Sequence, residues 1–169
     1  MTPDTRARFI APFNSPIEIG LRALAILSEA YPQAMSLQRL VVFDYLLVHS
    51  DDMPGGPIGL HPKTPHRSAE MLVRRQVLQD GLTLYQSRGL IARLYTAEGV
   101  LFNATDSSAT FLDVLHSTYA RELRHRAVWL QSTLGEVTDS QLESLTKEHI
   151  GEWGAEFAME SVLWTEEPE

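Results

Sequence analysis

Residues 68–104 read SAEMLVRRQVLQDGLTLYQSRGLIARLYTAEGVLFNA. Met71, Leu78, Leu82 and Tyr85 recur at helical spacing, which predicts a helix from about Ser68 to about Arg88. Gly81 interrupts the pattern, because glycine weakens a helix interior. Gly89 is a C-terminal stop. Leu90–Tyr95 and Val100–Ala104 then flank Thr96-Ala97-Glu98-Gly99, the pattern of a β-hairpin with glycine at its turn.

Upstream lie two more helices. Ser15-Pro16-Ile17-Glu18 combines a capping box with proline at the first helical position. Ile17, Leu21, Leu24, Leu27 and Tyr31 follow at helical spacing, and Pro32 ends the run. Ser36 opens the next helix, Leu37 to His49, whose residues 40–48 are apolar nearly all round. Such a helix is central in a core. A buried strand is the competing reading, and length and the Ser36 cap favour the helix. Three helices followed by a hairpin make the winged variant of the helix-turn-helix arrangement. The third helix would be its recognition helix and the hairpin its wing.

Downstream, Ser107 or Ser108 caps a long helix to about Leu134, with Phe111, Leu115, Tyr119, Leu123, Ala127 and Leu130 on one stripe. Gly135 stops it, and Thr138-x-x-Gln141 starts a last helix. The expected fold is mostly α (α+β). Residues 1–13 are an extension, 14–106 a winged-helix-like core, 107–135 a long helix packed on it, and 136–169 an acidic helical segment.

The chain has 169 residues and a mass of 19.0 kDa, enough to bury a core without staples. The absence of cysteine excludes disulfides, a thiol nucleophile and a Cys-based zinc site, and makes the cytoplasm the expected location. No apolar run approaches the ~18 residues of a membrane span, and Met1–Phe13 has no secretory apolar core. The net charge of −8 is concentrated. Residues 136–169 hold ten acids against one base, Lys147, while 1–135 hold thirteen bases against twelve acids. An acidic protein is a poor general DNA coat. The acidic segment also carries Trp153, Phe157, Val162, Leu163 and Trp164. That mixture suits docking onto a basic, apolar surface, with Phe157 and Trp164 as candidate anchors. Packing on the chain's own core is favoured for Trp153 and Phe157; for Trp164 the two readings are even.

Residues 49–66, HSDDMPGGPIGLHPKTPH, hold four prolines and three glycines. That excludes regular structure, and a loop of this length is functional or disordered. The glycines lack the strand–helix context and lysine of a phosphate loop. Asp51 and Asp52 are adjacent and point apart, a weak basis for paired-carboxylate catalysis. His49, Asp51, Asp52, His61 and His66 are metal-ligating types, but their spacing fits no ligand frame. Hydrogen bonds of His49 and His61 to the loop are the preferred reading. No catalytic residue, metal or cofactor is assigned. His61, Lys63, His66, Arg67, Arg74 and Arg75 form a basic cluster at the start of the third helix. There they would meet phosphates or an acidic protein, or pair with the chain's own acids. Arg121, Arg124, His125 and Arg126 point to different faces of one helix, and at least one of these arginines is expected to face an internal carboxylate.

The ordered set FNSPIEIGLRALAIL, LQRLVVFDYLLVHSDD, GGPIGLHP, PHRSAEMLVRRQVLQDGL, SRGLI and YARELRHRAVWL resembles the small middle component of bacterial ABC three-component systems, the Lamassu-type defence operons. The resemblance runs from about Phe13 to Leu130. It implies a non-enzymatic adaptor between an SMC-like (Rad50-like) ATPase and an effector, often a nuclease, that together act against phage or plasmid DNA. The matching positions are His49, Ser50, Asp51, Pro57, His61, Pro62, Pro65, Arg67, Arg74, Arg75, Gly81, Arg121, Arg126 and Trp129. On physical grounds the proline-rich loop is a rigid docking surface. Arg67, Arg74 and Arg75 would contact acidic groups of the ATPase or DNA. Trp129 is assigned to the core in preference to an interface. The competing reading is a free-standing winged-helix DNA-binding transcriptional regulator. A hydrolase using the His/Asp loop is a distant third.

Overall fold

The computed structural model describes residues 15–62 and 67–148, and among these the side chains other than those of 67–73 and 147. Helix α1 spans Pro16–Ala30, strand β1 Met35–Ser36 and helix α2 Leu37–Val48. A 3₁₀ turn follows at Ser50–Asp52. Then come α3 (Arg67–Ser87), β2 (Ile91–Thr96), β3 (Gly99–Ala104), α4 (Ser108–Asp113), α5 (Thr118–Leu134) and α6 (Asp139–Glu148). Among the described residues the fold is mostly α with one small antiparallel sheet, in keeping with the expected mostly α (α+β) class. The expected sequence of three helices and a hairpin is present.

Local chemistry sets the helix starts. Ser15 Oγ accepts from the Glu18 N–H at 3.2 Å, with Pro16 in the first turn. Glu18 Oε2 is buried without a hydrogen-bond partner, so that atom does not close the expected box. Ser36 Oγ accepts from the Arg39 N–H at 3.1 Å and starts α2. That helix is buried from Arg39 to Val48, which settles the helix-or-strand question. The stripe expected on α1 is shifted: Ile17 and Tyr31 are exposed, and Ile19, Ala23, Leu24, Ile26 and Leu27 are buried. Sandwiching by α2, α3 and α5 widens the buried arc beyond one stripe.

Helix α3 runs unbroken through Gly81. A Cβ there would lie 2.8 Å from the Pro16 carbonyl oxygen and 2.9 Å from the Gly20 nitrogen. Glycine therefore lets the backbones of α1 and α3 touch, and packing offsets its weak helix propensity. Gly89, at φ +72°, ends the helix, as expected.

The hairpin pairs Ile91↔Ala104 through Thr96↔Gly99. Strand β1, absent from the sequence reading, joins it through Met35↔Phe102 and Ser36↔Leu101, giving the order β1-β3-β2. Two residues carry no periodicity to read.

The long helix expected over 107–134 is instead two helices. Ser117 Oγ accepts from the Ala120 N–H at 3.1 Å and starts α5 anew. A second Ser N-cap within the apolar stripe re-aims the chain while Leu112, Leu123, Ala127 and Leu130 stay in one core. At α6 the capping box is complete. Thr138 N–H donates to Gln141 Oε1 at 3.0 Å and Gln141 N–H to Thr138 Oγ1 at 3.2 Å. Among the described residues one apolar core runs from Ile19 to Leu142.

Candidate functional site

The loop expected to be irregular is a fastened strap. Val48 carbonyl accepts from the Leu60 N–H at 2.8 Å and from the His61 N–H at 3.2 Å. The chain thus leaves and returns at one point, the form of a compact Ω-loop. The Ser50 side chain, fully buried, donates to the Pro57 carbonyl at 2.9 Å. A Cβ on Gly56 would lie 2.0 Å from the Ser50 carbonyl oxygen, so only glycine lets the loop close on itself. Arg126 Nη2 donates to the Ile58 carbonyl at 2.8 Å, and the Tyr45 hydroxyl donates to the Asp52 carboxylate. Met53 and Leu60 pack on the core.

Beneath the strap lies a charged centre. Asp44 accepts from Arg22 Nε at 2.6 Å and Nη2 at 3.0 Å, and from Arg74 Nη1 at 2.9 Å. Arg22 and Asp44 are entirely buried and Arg74 nearly so. Burial alone pushes the Asp44 carboxyl up, but the two guanidiniums outweigh it and hold its pKa below the usual range. Burial likewise opposes the Arg22 charge, and Asp44, with help from Tyr119, raises its pKa overall. The cluster carries two cations and one anion.

The strap reaches this centre through His61. Its Nε2 lies 2.8 Å from the Tyr119 hydroxyl. Burial and the neighbouring charge of Arg22, with His49 behind, push the imidazole down to about 4 against the opposing pull of Asp44. It is neutral at pH 7. Burial pushes the Tyr119 phenol up, against the pull of the Arg22 guanidinium to which it hydrogen-bonds. Arginine can only donate, so the Tyr119 oxygen accepts from Arg22, and the Tyr119 hydroxyl and His61 Nε2 share the 2.8 Å hydrogen bond. Asp44, Arg22, Tyr119 and His61 thus form one chain from α2 through α1 and α5 to the strap.

The sequence-predicted residues divide. His49 is buried at the end of α2, its ring centroid 4.8 Å from that of Tyr45 and 6.4 Å from that of His61. Asp51 is exposed on the strap. Lys63 and His66 lie outside the described residues, as do Phe157 and Trp164. Arg67 begins α3, and its side chain is outside the description too. Arg74 is corrected: its guanidinium points into the core at Asp44, not outward to a partner, because a buried carboxylate demands cations. Arg75 Nη1 donates to Gln38 Oε1 at 3.1 Å. In the other basic group, Arg124 pairs with Asp113 at 2.8 Å, both substantially exposed, and Arg126 with Glu122 at 3.5 Å. Arg126 is the more covered of the two. Trp129 packs partly buried against the core, in keeping with its assignment there. Among the described residues no group of three His, Asp or Glu converges as a metal site, and no helix is long and apolar enough to cross a membrane.

Arg22 and Asp44 were missed as the hub. The signal was available: Asp44 is the one acid within LVVFDYLLV, and an acid on a helix buried all round needs a cation.

A family model described as "ABC-three component (ABC-3C) system Middle Component 2" matches residues 12–156. No curated protein and no solved structure matches the chain.

Proposed function

This chain belongs to the ABC-three component (ABC-3C) system Middle Component 2 family, and from that premise we propose that it is a non-enzymatic adaptor. In this reading it works in the cytoplasm and joins an SMC-like ATPase to an effector nuclease in a Lamassu-type defence complex against phage or plasmid DNA. The observation that carries the reading is the family match over 12–156 together with the fastened strap. A loop held by the core at Val48, Ser50, Ile58 and His61 presents a fixed outer surface, and a fixed surface loses little entropy on docking. The order of three helices and hairpin, with β1 added to β3, supports a winged-helix-like core. Direct contact with DNA inside the complex would then fall to Arg75 and to the basic positions Lys63, His66 and Arg67.

The alternative regulator reading needs outward cations at the start of α3. It loses Arg74, which is spent on Asp44. The test is purification of the tagged protein from its native cells at moderate salt after nuclease treatment, with mass spectrometry of what accompanies it. Stoichiometric recovery of a large coiled-coil ATPase and a third protein is expected. Recovery of the chain alone, with salt-sensitive binding to its own promoter region, would replace this reading with the regulator.

A further inference from the structure

Strand β2 ends the sheet order β1-β3-β2, so among the described residues one of its sides has no neighbouring strand. Thr96 and Gly99 face each other across a two-residue turn and form a hydrogen-bonded pair of the ladder. Such pairs alternate along the strands. The backbones of Ala92 and Leu94 therefore turn to β3, and those of Ile91, Arg93 and Tyr95 turn to the open side. An open edge is a template for another strand, and proteins blunt it with lysine, proline, a bulge or a very short strand. The strand IARLYT contains no lysine or proline, and its ladder with β3 runs without a bulge.

The outer half of the hairpin is apolar on both faces. Leu94 lies opposite Leu101, and Tyr95 opposite Val100. Tyr95 is 79% exposed, Val100 40% and Leu94 39%. The Arg93 guanidinium lies over the Phe102 ring at 5.3 Å, and its Nε is buried without a hydrogen-bond partner. The charged residues of 88–106 are Arg88, Arg93, Glu98 and Asp106, and Asp106 accepts from the Tyr31 hydroxyl. Charge so balanced neither attracts nucleic acid nor repels a copy of itself.

Self-pairing selects one register. Two antiparallel β2 strands must join their open-side residues, 91, 93 and 95. Centring on Arg93 sets Arg93 against Arg93, a like-charge pair. Centring on Ala92 leaves Tyr95 with no opposite residue in the strand, and centring on Tyr95 pairs only 94–96. Centring on Leu94 pairs 92–96 of each copy. It sets Leu94 against Leu94 and each Arg93 against the other copy's Tyr95, giving both guanidiniums a further aromatic face. It also carries each Glu98 past the other copy's Leu90 toward its Arg88.

We infer that the chain pairs with a second copy of itself through β2, the two hairpins making one continuous sheet about a two-fold axis at Leu94. An adaptor so paired carries two straps, which goes beyond the reading above and does not depend on it.

The test is sedimentation of the purified chain over a concentration series, with variants at position 94. The wild-type chain should approach twice its 19.0 kDa mass as concentration rises. Leu94→Lys and Leu94→Glu should each weaken pairing at least tenfold with the circular dichroism unchanged. An equimolar mixture of the two should restore it, because position 94 meets itself. The chain has no cysteine, so Leu94→Cys adds a single thiol. Mild oxidation should link two copies through it, since residues facing at a non-hydrogen-bonded pair have Cα atoms about 4.5 Å apart, within disulfide reach. Val128→Cys, exposed on α5, should stay unlinked. A wild-type chain that remains monomeric throughout overturns the pairing. So do undiminished dimers in both charged variants, or a mixture that restores nothing. A photo-crosslinking benzoylphenylalanine at position 95 that links only within one chain, to residues 1–14 or 149–169, or only to a co-expressed component, overturns it too. None of these outcomes touches the adaptor reading, which co-purification decides.

Discussion

Arg22 and Asp44 face each other across α1 and α2 as a two-pronged ion pair, 2.6 and 3.0 Å long, with neither side chain exposed. Asp44 also neutralises Arg74, so one carboxylate serves two buried guanidiniums. Asp44→Asn should therefore be costly, about 3–5 kcal/mol, because it leaves buried charge uncompensated. Arg74→Met should cost less than half as much, since Arg22 still satisfies Asp44. Urea unfolding of the three proteins measures both. Equal losses would mean that Arg74 is as necessary to the centre as Asp44.

Gly81 and Gly20 let α1 and α3 touch. Alanine is the better helix former by about 1 kcal/mol, yet Gly81→Ala should destabilise the protein by roughly 1–3 kcal/mol through overpacking against Pro16 and Gly20. Gly20→Ala should behave alike, its methyl falling 2.5 Å from Tyr85 ring carbons. Thermal melts decide the sign. A raised melting temperature in either variant would show that the crossing has slack.

His61 gives the fold an acid limit. Its folded pKa of about 4 lies below the ordinary 6.5. Between these values the unfolded chain binds a proton that the folded one refuses. Its contribution to stability is thus intact above pH 6.5 and falls as pH drops toward 4. His61→Gln should flatten this part of the stability–pH curve, read by urea unfolding at half-unit steps. An unchanged slope in the variant would place the acid sensitivity elsewhere.

Arg39 holds the exit of α5 to the start of α6. Its guanidinium donates to the Leu134, Gly135 and Val137 carbonyls at 2.9, 3.3 and 2.6 Å and reaches Asp139 at 3.1 Å. Arg39→Met should increase hydrogen exchange across 136–148 at least tenfold while leaving α1 and α2 protected. Uniform deprotection would make Arg39 a support of the whole core.

How far the sequence could be read follows from the distance over which each feature is decided. The caps at Ser15 and Ser36, the box at Thr138 and Gln141, the stop at Gly89 and the hairpin over 91–104 were all legible. The cap at Ser117 was equally local, but the apolar stripe running across it hid the break between α4 and α5. The strap was legible as irregular from its prolines and glycines, though its closure on Val48 was not.

By itself, then, the sequence determined where helices begin, where the chain turns and which stretch cannot be regular, because those depend on neighbours within about four residues. Tertiary structure alone decided which way the charges face. Arg22 finds Asp44 across 22 residues, Arg74 across 30, His61 finds Tyr119 across 58 and Arg126 finds Ile58 across 68. Such pairs form only after packing has brought their elements together, and at Asp44 each buried charge must then find a partner. The same packing took Arg74 from the expected surface into the core and left Ile58 outside.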